Sequence, residues 1–272
     1  MPRVGKTIKQ ATWIASTLAA LAIIVFGFFE TWGTLVFDEF IFFAVIAAFT
    51  PPTILNYVDY RWKKSVDEHL PDLFRSIVQA QETGMTLPRA LEEASKRDYG
   101  PLTAELRKMT AQISWGMTIE EALVAFSKRV NTLLVQRTVP LIIEANRSGG
   151  HVEKIFDPMG KFVQSTLILQ KERQTKTRPY IAIIYVAFFV FIFTIILLFK
   201  SFFVDIEGLP LLGVAIMASE EVKRLFFHMT VIQAFFGGLV AGKMGEGTIS
   251  AGLKHSLALM ICGYIAIKLF LL

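Results

Sequence analysis

Five apolar runs of 18 to 21 residues limit what this chain can fold into. The runs cover residues 10–29, 40–58, 179–199, 225–242 and 255–272. None of them holds an aspartate or glutamate, and only the last holds a lysine. About twenty helical residues, rising 1.5 Å each, cross a hydrocarbon layer of about 30 Å. The pattern predicts an all-α, polytopic membrane protein with about five transmembrane helices.

The long polar segment of the chain lies between the second and third runs, at residues 57–178. It contains 19 of the 28 basic and 15 of the 23 acidic residues. Such a segment cannot cross a membrane, so we expect it to form a helical bundle in water. The predicted domains are residues 1–58 with two spans, 59–178 with the bundle, and 179–272 with three spans and a cytosolic loop at 243–254.

The distribution of lysine and arginine predicts the orientation. The N-terminus carries three basic and no acidic residues, whereas the loop 30–39 carries no basic residue. No small-residue cleavage site follows the first run, so we expect a retained helix rather than a signal peptide. We predict that the N-terminus, residues 57–178 and the loop 243–254 face the cytosol and that the C-terminus lies outside. Lys223 and Arg224 are exceptions on the outer side.

Caps and helix breakers divide the polar segment into short antiparallel helices. Thr118 and Glu121 have the spacing of a capping box, in which each side chain satisfies a backbone N–H of the first helical turn. The last helix is expected to run from about Val152 through Arg178 toward the membrane. Helix starts are expected at Pro71, Pro101, Thr118 and Asn131, and kinks or ends at Pro51–Pro52, Gly84, Gly116 and Gly149–Gly150.

An internal repeat accompanies these signals. Residues 84–97 align with residues 116–129 at an offset of 32, and eight of the fourteen positions are identical. Each copy begins with Gly-Met-Thr and ends with Ser-Lys-Arg. A glycine stop and a threonine cap explain two of the matches, not eight. A weaker third copy is expected at residues 148–150, Ser-Gly-Gly.

This repeat has the form Gly-small-x-(Leu/Ile)-x-x-Ala-Leu, and a long helix into a membrane span follows it. In this arrangement the chain resembles the type II secretion F-protein family over roughly residues 65–204. These are the inner-membrane platform proteins of type II secretion, type IV pili and archaella. Residues 241–256, AGKMGEGTISAGLKHS, resemble a loop typical of the archaeal branch, the platforms of archaella and archaeal pili.

The resemblance implies a protein that has no catalytic activity and no cofactor. Such platforms hold the assembly site in the cell membrane and bind a hexameric secretion ATPase from the cytosol. They pass its motion to pilin-like or archaellin subunits, and they act as a homodimer or with a related platform subunit. Archaellum platforms typically carry two cytosolic domains, so this chain resembles their C-terminal half. A fragment, a minimal homologue and one partner of a split pair all fit, and the particular machine stays open.

Two groups of charged residues are candidates for partner binding. The basic side chains of the polar segment would form a docking face for an acidic partner; a solvated basic surface close to lipid explains them equally well. This set comprises Arg75, Arg89, Lys96, Arg97, Lys128, Arg129 and Arg147. Lys243, Glu246 and Lys254 would contact the cytosolic domain or the ATPase, although positive-inside anchoring also accounts for the lysines.

Other motifs favour structural roles. Gly238 and Gly242 have the spacing that lets membrane helices approach closely, although a chance pair of glycines explains the spacing equally well. The run from Gly237 to Met244 resembles a phosphate-binding loop, but Met244 replaces the required Ser or Thr, and no β-strand precedes it. The single cysteine, Cys262, excludes a disulfide framework. The histidines lack the spacing of metal ligands. Interleaved acids disfavour nucleic-acid binding. A small transporter or channel and a membrane-anchored signalling protein are the alternative functions.

Overall fold

The computed structural model describes residues 5–31, 35–147, 153–203 and 219–270. Within these ranges the chain forms α-helices and no β-strand, which confirms the all-α class. The helices are α1 (Lys6–Thr31), α2 (Leu35–Glu82), α3 (Leu87–Ser95), α4 (Pro101–Ser114), α5 (Ile119–Val130), α6 (Leu133–Arg147), α7 (Glu153–Leu198), α8 (Ser219–Glu246) and α9 (Ile249–Phe270), with a π-helical segment, Phe199–Phe203, after α7. The expected third repeat at residues 148–150 lies outside the described residues.

Five of the described helices, α1, α2, α7, α8 and α9, are long and apolar enough to cross a membrane. This number confirms the prediction from the five apolar runs. Helices α2 and α7 have 48 and 46 residues, which corresponds to about 70 Å each, roughly twice the thickness of a hydrocarbon layer. Only part of each can therefore lie within the membrane.

The chain divides into two compact units. We call Val58–Glu172 the bundle unit, and Val4–Tyr57 together with Arg173–Leu272 the membrane unit. Helices α2 and α7 each contribute residues to both units. The bundle unit holds the charged segment, and the membrane unit holds most of the apolar runs.

The bundle unit has one apolar core, built from residues that recur at intervals of three and four. On α2 this stripe includes Val66, Leu70, Phe74 and Ile77, each at most 3% exposed. Helices α3 to α6 pack pairwise in chain order. Turns of two to five residues separate them, and helices joined so closely are antiparallel.

This alternation gives the bundle unit two distinct ends. The turns 83–86 and 115–118 lie at one end, which we call the elbow end, together with the last turn of α6. The turns 96–100 and 131–132 lie at the other, which we call the opposite end. Two ion pairs agree with this placement. Arg147 reaches Glu120 at the elbow end, and Arg129 reaches Glu105 at the opposite end.

The stops predicted at Gly84 and Gly116 and the cap predicted at Thr118 are present. Gly84 and Gly116 follow α2 and α4 with φ of +84° and +94°, values that favour glycine over residues with a Cβ atom. Thr118 Oγ1 accepts from the Glu121 N–H at 3.2 Å, and the Glu121 carboxylate accepts from the Thr118 N–H, so the capping box is confirmed. The first copy has Arg89 where the box needs a glutamate, and no side-chain cap forms there.

Two predicted helix starts were wrong. Pro71 lies inside α2, which runs without interruption from Leu35 to Glu82. Pro51–Pro52 also lie inside α2, so they do not end it, and a kink at these residues stays a prediction. Each proline removes one backbone hydrogen bond, but packing overrides this cost, since Pro52 and Pro71 are buried. Asn131 does not start α6. It ends α5 in the left-handed conformation, with φ of 54°, and Thr132 Oγ1 accepts from the Val135 N–H at the start of α6.

Aromatic and branched side chains fill the core of the membrane unit. The Phe42 ring on α2 stacks on the Tyr264 ring of α9, with centroids 4.8 Å apart, and meets Phe227 of α8 edge to face. Helices α8 and α9 form a hairpin joined only by Gly247 and Thr248. The expected twelve-residue loop at 243–254 is therefore mostly helical, because α8 continues to Glu246.

Candidate partner-binding surfaces

Three of the predicted docking residues form local pairs on the bundle surface. Arg89 Nη1 lies 2.8 Å from Glu92 Oε2, and Lys96 Nζ lies 2.8 Å from Glu93 Oε2. In each pair the two residues are three positions apart in the chain. Arg75 lies 3.6 Å from Asp72 and donates to Gln164 Oε1 at 2.9 Å. These side chains are exposed, and such surface pairs contribute about 0–1 kcal/mol. A partner's carboxylates could therefore replace them at little cost.

Arg129 and Arg147 instead connect helices. Arg129 Nε donates to Glu105 Oε2 of α4 at 2.8 Å, and its Nη1 donates to Gln112 at 3.1 Å. Burial raises the pKa of Glu105, but hydrogen bonds from Lys108 and Arg129 outweigh it, so this pKa lies below its ordinary value. Arg147 donates to Glu120 of α5 at 2.7 and 2.9 Å, and this hydrogen bond lowers the pKa of Glu120.

Lys128 and Arg97 are the predicted residues least engaged with carboxylates. Both are exposed. Arg97 donates to Ser76 Oγ at 3.2 Å, and no ion pair of Lys128 is found among the described residues. Together with Lys96 and Arg129 they lie toward the opposite end of the bundle unit, whereas Arg147 lies at the elbow end. The predicted basic residues are thus spread over both ends, and most of their charge is already paired.

Gly238 and Gly242 lie where α8 and α9 touch. A Cβ atom at Gly238 would lie 2.1 Å from the Ser256 backbone nitrogen, and one at Gly242 would lie 2.1 Å from Gly252 Cα. Gly252 in turn faces the backbone of Leu239, at 2.7 Å from an added Cβ. Backbone lies against backbone at these points, so no side chain fits between the helices. Ser256 Oγ also donates to the Phe235 carbonyl oxygen at 2.7 Å.

The charged residues of this hairpin largely satisfy one another. Lys254 Nζ on α9 forms an ion pair with Glu246 at the end of α8 and lies 5.2 Å from the centroid of the Tyr57 ring. The acidic Glu246 in this loop is thus explained by an ion pair that joins the two helices of the hairpin. Lys243 is exposed, and no ion pair of this residue is found among the described residues. Of the three predicted contact residues here, Lys243 is the most available.

The sequence reasoning missed two carboxylates at the first turn of α2. Asp38, which is 3% exposed, lies 2.6 Å from Arg224 Nε of α8 and 3.5 Å from His228 Nε2. Arg224 Nη2 also donates to Asp38 Oδ1 at 3.0 Å. The sequence predicts a loop over residues 30–39, whereas Asp38 belongs to α2. The structure gives an explanation for Arg224, one of the two exceptions to the charge rule, because the buried Asp38 carboxylate neutralises it.

Glu39 plays the same part for α9. Lys268 Nζ lies 2.5 Å from Glu39 Oε1, and Tyr264 donates to Glu39 Oε2 at 3.1 Å. Adjacent acids on α2 therefore hold two different helices. The available signal was the pair of acids in the short segment between two apolar runs, matched by basic residues near the ends of two later runs.

The fold and these surfaces define a class of protein: a multi-pass, helical membrane protein with a charged helical bundle. Among the described residues, no group of three or more His, Cys, Asp or Glu side chains could hold a metal ion. Residues 73–199 match the sequence model of the family described as "Type II secretion system (T2SS), protein F". Over this stretch, just under half of its length, the chain is similar to the type II secretion F-protein family, which confirms the resemblance based on the repeat.

A curated relative is consistent with this resemblance. The uncharacterized protein MJ1286 of Methanocaldococcus jannaschii is 26% identical over 235 residues, which is 86% of this chain and 38% of the relative. The chain thus spans well under half of that protein's length. The archaeal source is consistent with the archaeal branch indicated by residues 241–256. No solved structure is significantly similar to the chain.

Proposed function

We propose that this protein is a non-catalytic platform in the cytoplasmic membrane. It couples a cytosolic, hexameric secretion ATPase to the assembly of a pilus or archaellum filament from pilin-like subunits. The observation that carries the proposal is the family match at residues 73–199. This stretch runs from the core of the bundle unit to the end of α7, which is also one of the five helices able to cross a membrane.

The mechanical part of the proposal rests on helix continuity. Helix α7 contributes Phe156, Met159 and Val163 to the bundle core, each at most 5% exposed, and it continues without a break to Leu198. A force on the bundle would pass along the hydrogen-bonded backbone of this helix rather than through a flexible linker. The same holds for α2, whose 48 residues also enter both units.

The orientation belongs to the proposal. The N-terminus and the bundle unit face the cytosol and the C-terminus lies outside, because 19 basic residues stand in the segment 57–178. In a Cys262→Ser background, a cysteine at the exposed position 115 should react with a membrane-impermeant maleimide only after cell lysis. Labelling of intact cells would contradict this orientation.

Binding to the cognate ATPase is the direct test. The full chain, purified in detergent or nanodiscs, should retain the ATPase at low salt and release it as ionic strength rises, since charged contacts are screened. A membrane protein of unrelated sequence is the control. If the full chain fails to bind the ATPase at low salt, the platform function is contradicted.

The alternative functions predict other features. A small transporter or channel would bring polar groups together inside the membrane unit. The described carboxylates of that unit instead lie near helix ends: Glu30 on α1, Asp38 and Glu39 on α2, and Glu221 and Glu246 on α8. A signalling protein would need a catalytic or phospho-acceptor module in the bundle. Neither alternative accounts for the family match.

A further inference from the structure

The elbow end of the bundle unit carries an exposed apolar side chain that does not pack into the core. Trp115 is 86% exposed, the largest exposed fraction among the large apolar side chains described in the bundle unit. By contrast, Trp62 of the same unit is 4% exposed and part of the core. Placing an indole ring in water is unfavourable. Such a residue in a turn is therefore better explained by a partner than by the fold.

The repeat adds two more apolar groups at this end. Met85 and Met117 occupy equivalent positions in the two copies, one residue after the positive-φ glycines, and are 39% and 37% exposed. The conformation of each turn requires the glycine, but nothing in the turn requires a methionine. Methionine side chains adapt to irregular apolar surfaces and are frequent at binding sites, and exposed tryptophan is enriched among residues that dominate binding energy.

The charge of the elbow end decides what kind of partner fits. The residues 79–90, 111–122 and 144–147, which form the two turns and the adjoining helical turns, contain four carboxylates and two guanidinium groups. Arg147 is already paired with Glu120, and Arg89 with Glu92. This end is therefore acidic, although the chain as a whole has a net charge of +5. Anionic lipid headgroups attract basic surfaces and would not favour it.

We propose that the elbow end is a docking surface, with Trp115 as its anchor, for a protein whose apolar pocket is rimmed by basic side chains. The proposal rests on the platform function above, and within it the partner is the cytosolic ATPase. It differs from the expectation of a basic docking face, because Lys96, Arg97, Lys128 and Arg129 lie toward the opposite end.

Truncation of the anchor tests the proposal in the full chain. Trp115→Ala is expected to weaken ATPase binding at least about tenfold, as for other aromatic anchors. Leu133→Ala is the matched control, because Leu133 is also a large apolar residue, is 60% exposed, and begins α6 at the opposite end. Both side chains point into water, so neither change should alter folding.

Charge reversal tests the chemistry of the partner. Glu82→Lys, at the elbow end, should weaken binding severalfold and reduce its salt dependence, since it opposes a basic rim. Glu68→Lys is the control, because Glu68 is likewise exposed and lies on α2 about four turns away. Equal effects of the two reversals would overturn the assigned charge complementarity.

The outcomes separate this inference from the platform function. If wild type binds the ATPase and Trp115→Ala binds it equally well, the docking surface is wrong while the function stands. If wild type does not bind the ATPase at all, both fall. The emission of Trp115 is the difference in tryptophan fluorescence between wild type and Trp115→Phe. If brominated lipids in a nanodisc quench this emission, Trp115 inserts into the membrane, and protein docking is overturned.

Discussion

The contact between α8 and α9 at Gly238 gives the most quantitative prediction. Gly238→Ala would place a Cβ atom 2.1 Å from the Ser256 backbone nitrogen and 2.2 Å from its Cα. Ordinary contacts of a Cβ atom begin near 3.4 Å, so the two backbones would have to separate by more than about 1 Å. The neighbouring atoms belong to a helix backbone and cannot rotate away. The same argument applies to Gly242.

Gly237 supplies a matched control one residue earlier in the same helix. A Cβ atom there would meet Ile184 Cγ2 at 3.7 Å, an ordinary contact. Replacing a helical glycine by alanine favours the helix by up to about 1 kcal/mol at either position. Overpacking costs roughly 1–3 kcal/mol, and more against backbone. We expect Gly238→Ala to be about 2–4 kcal/mol less stable than Gly237→Ala.

Two measurements on the full chain check this difference. Unfolding by SDS in mixed micelles, followed by circular dichroism, should show an earlier transition for Gly238→Ala than for Gly237→Ala. Spin labels at positions 236 and 261, whose side chains are exposed on α8 and α9, should report a wider helix separation only in Gly238→Ala, in a Cys262→Ser background. Equal stability and equal separation in the two variants would refute the backbone contact.

Two ion pairs give further predictions. Glu105→Gln should destabilise the bundle by about 1–3 kcal/mol at pH 7. Because the pKa of Glu105 is lowered in the fold, wild type has this advantage above the ordinary carboxyl pKa and loses it as pH falls through the lowered pKa, so the denaturation curves of both proteins should converge in acid. Arg224→Met should leave the buried Asp38, which is 3% exposed, without its cation and destabilise the membrane unit by roughly 3–5 kcal/mol in SDS unfolding. The double variant Asp38→Leu with Arg224→Met should recover most of this loss, because it removes both charges. Persistence of the Glu105 effect in acid, or additive losses in the double variant, would contradict these assignments.

Signals that act over a few residues were read correctly from the sequence. Gly84 and Gly116 end their helices because a positive φ stops the α-helical hydrogen-bond pattern, and Thr118 with Glu121 caps α5 within one turn. Such preferences depend only on neighbouring backbone and side chains. Pro71 and the hairpin at Gly247 were misread, because packing against distant residues overrides local preference.

Charge was the property most changed by tertiary structure. The basic residues of the polar segment predicted a docking face. In the structure, however, Arg147 pairs with Glu120, 27 residues away, and Arg224 pairs with Asp38, 186 residues away. Pairing depends on which helices become neighbours, and a single sequence does not encode this in any short pattern. The exposure of Trp115 was invisible for the same reason, because burial is decided by the packing of the other helices.

The sequence by itself therefore determined the membrane class, the five spans, the helical character of the polar segment and the family resemblance, because hydrophobic length and helix punctuation are properties of contiguous residues. Only the tertiary structure decided which charges are neutralised, which glycines lie against backbone, and which end of the bundle leaves an aromatic ring in water. These properties belong to pairs of residues brought together by folding, and they direct attention from the basic residues to the elbow end.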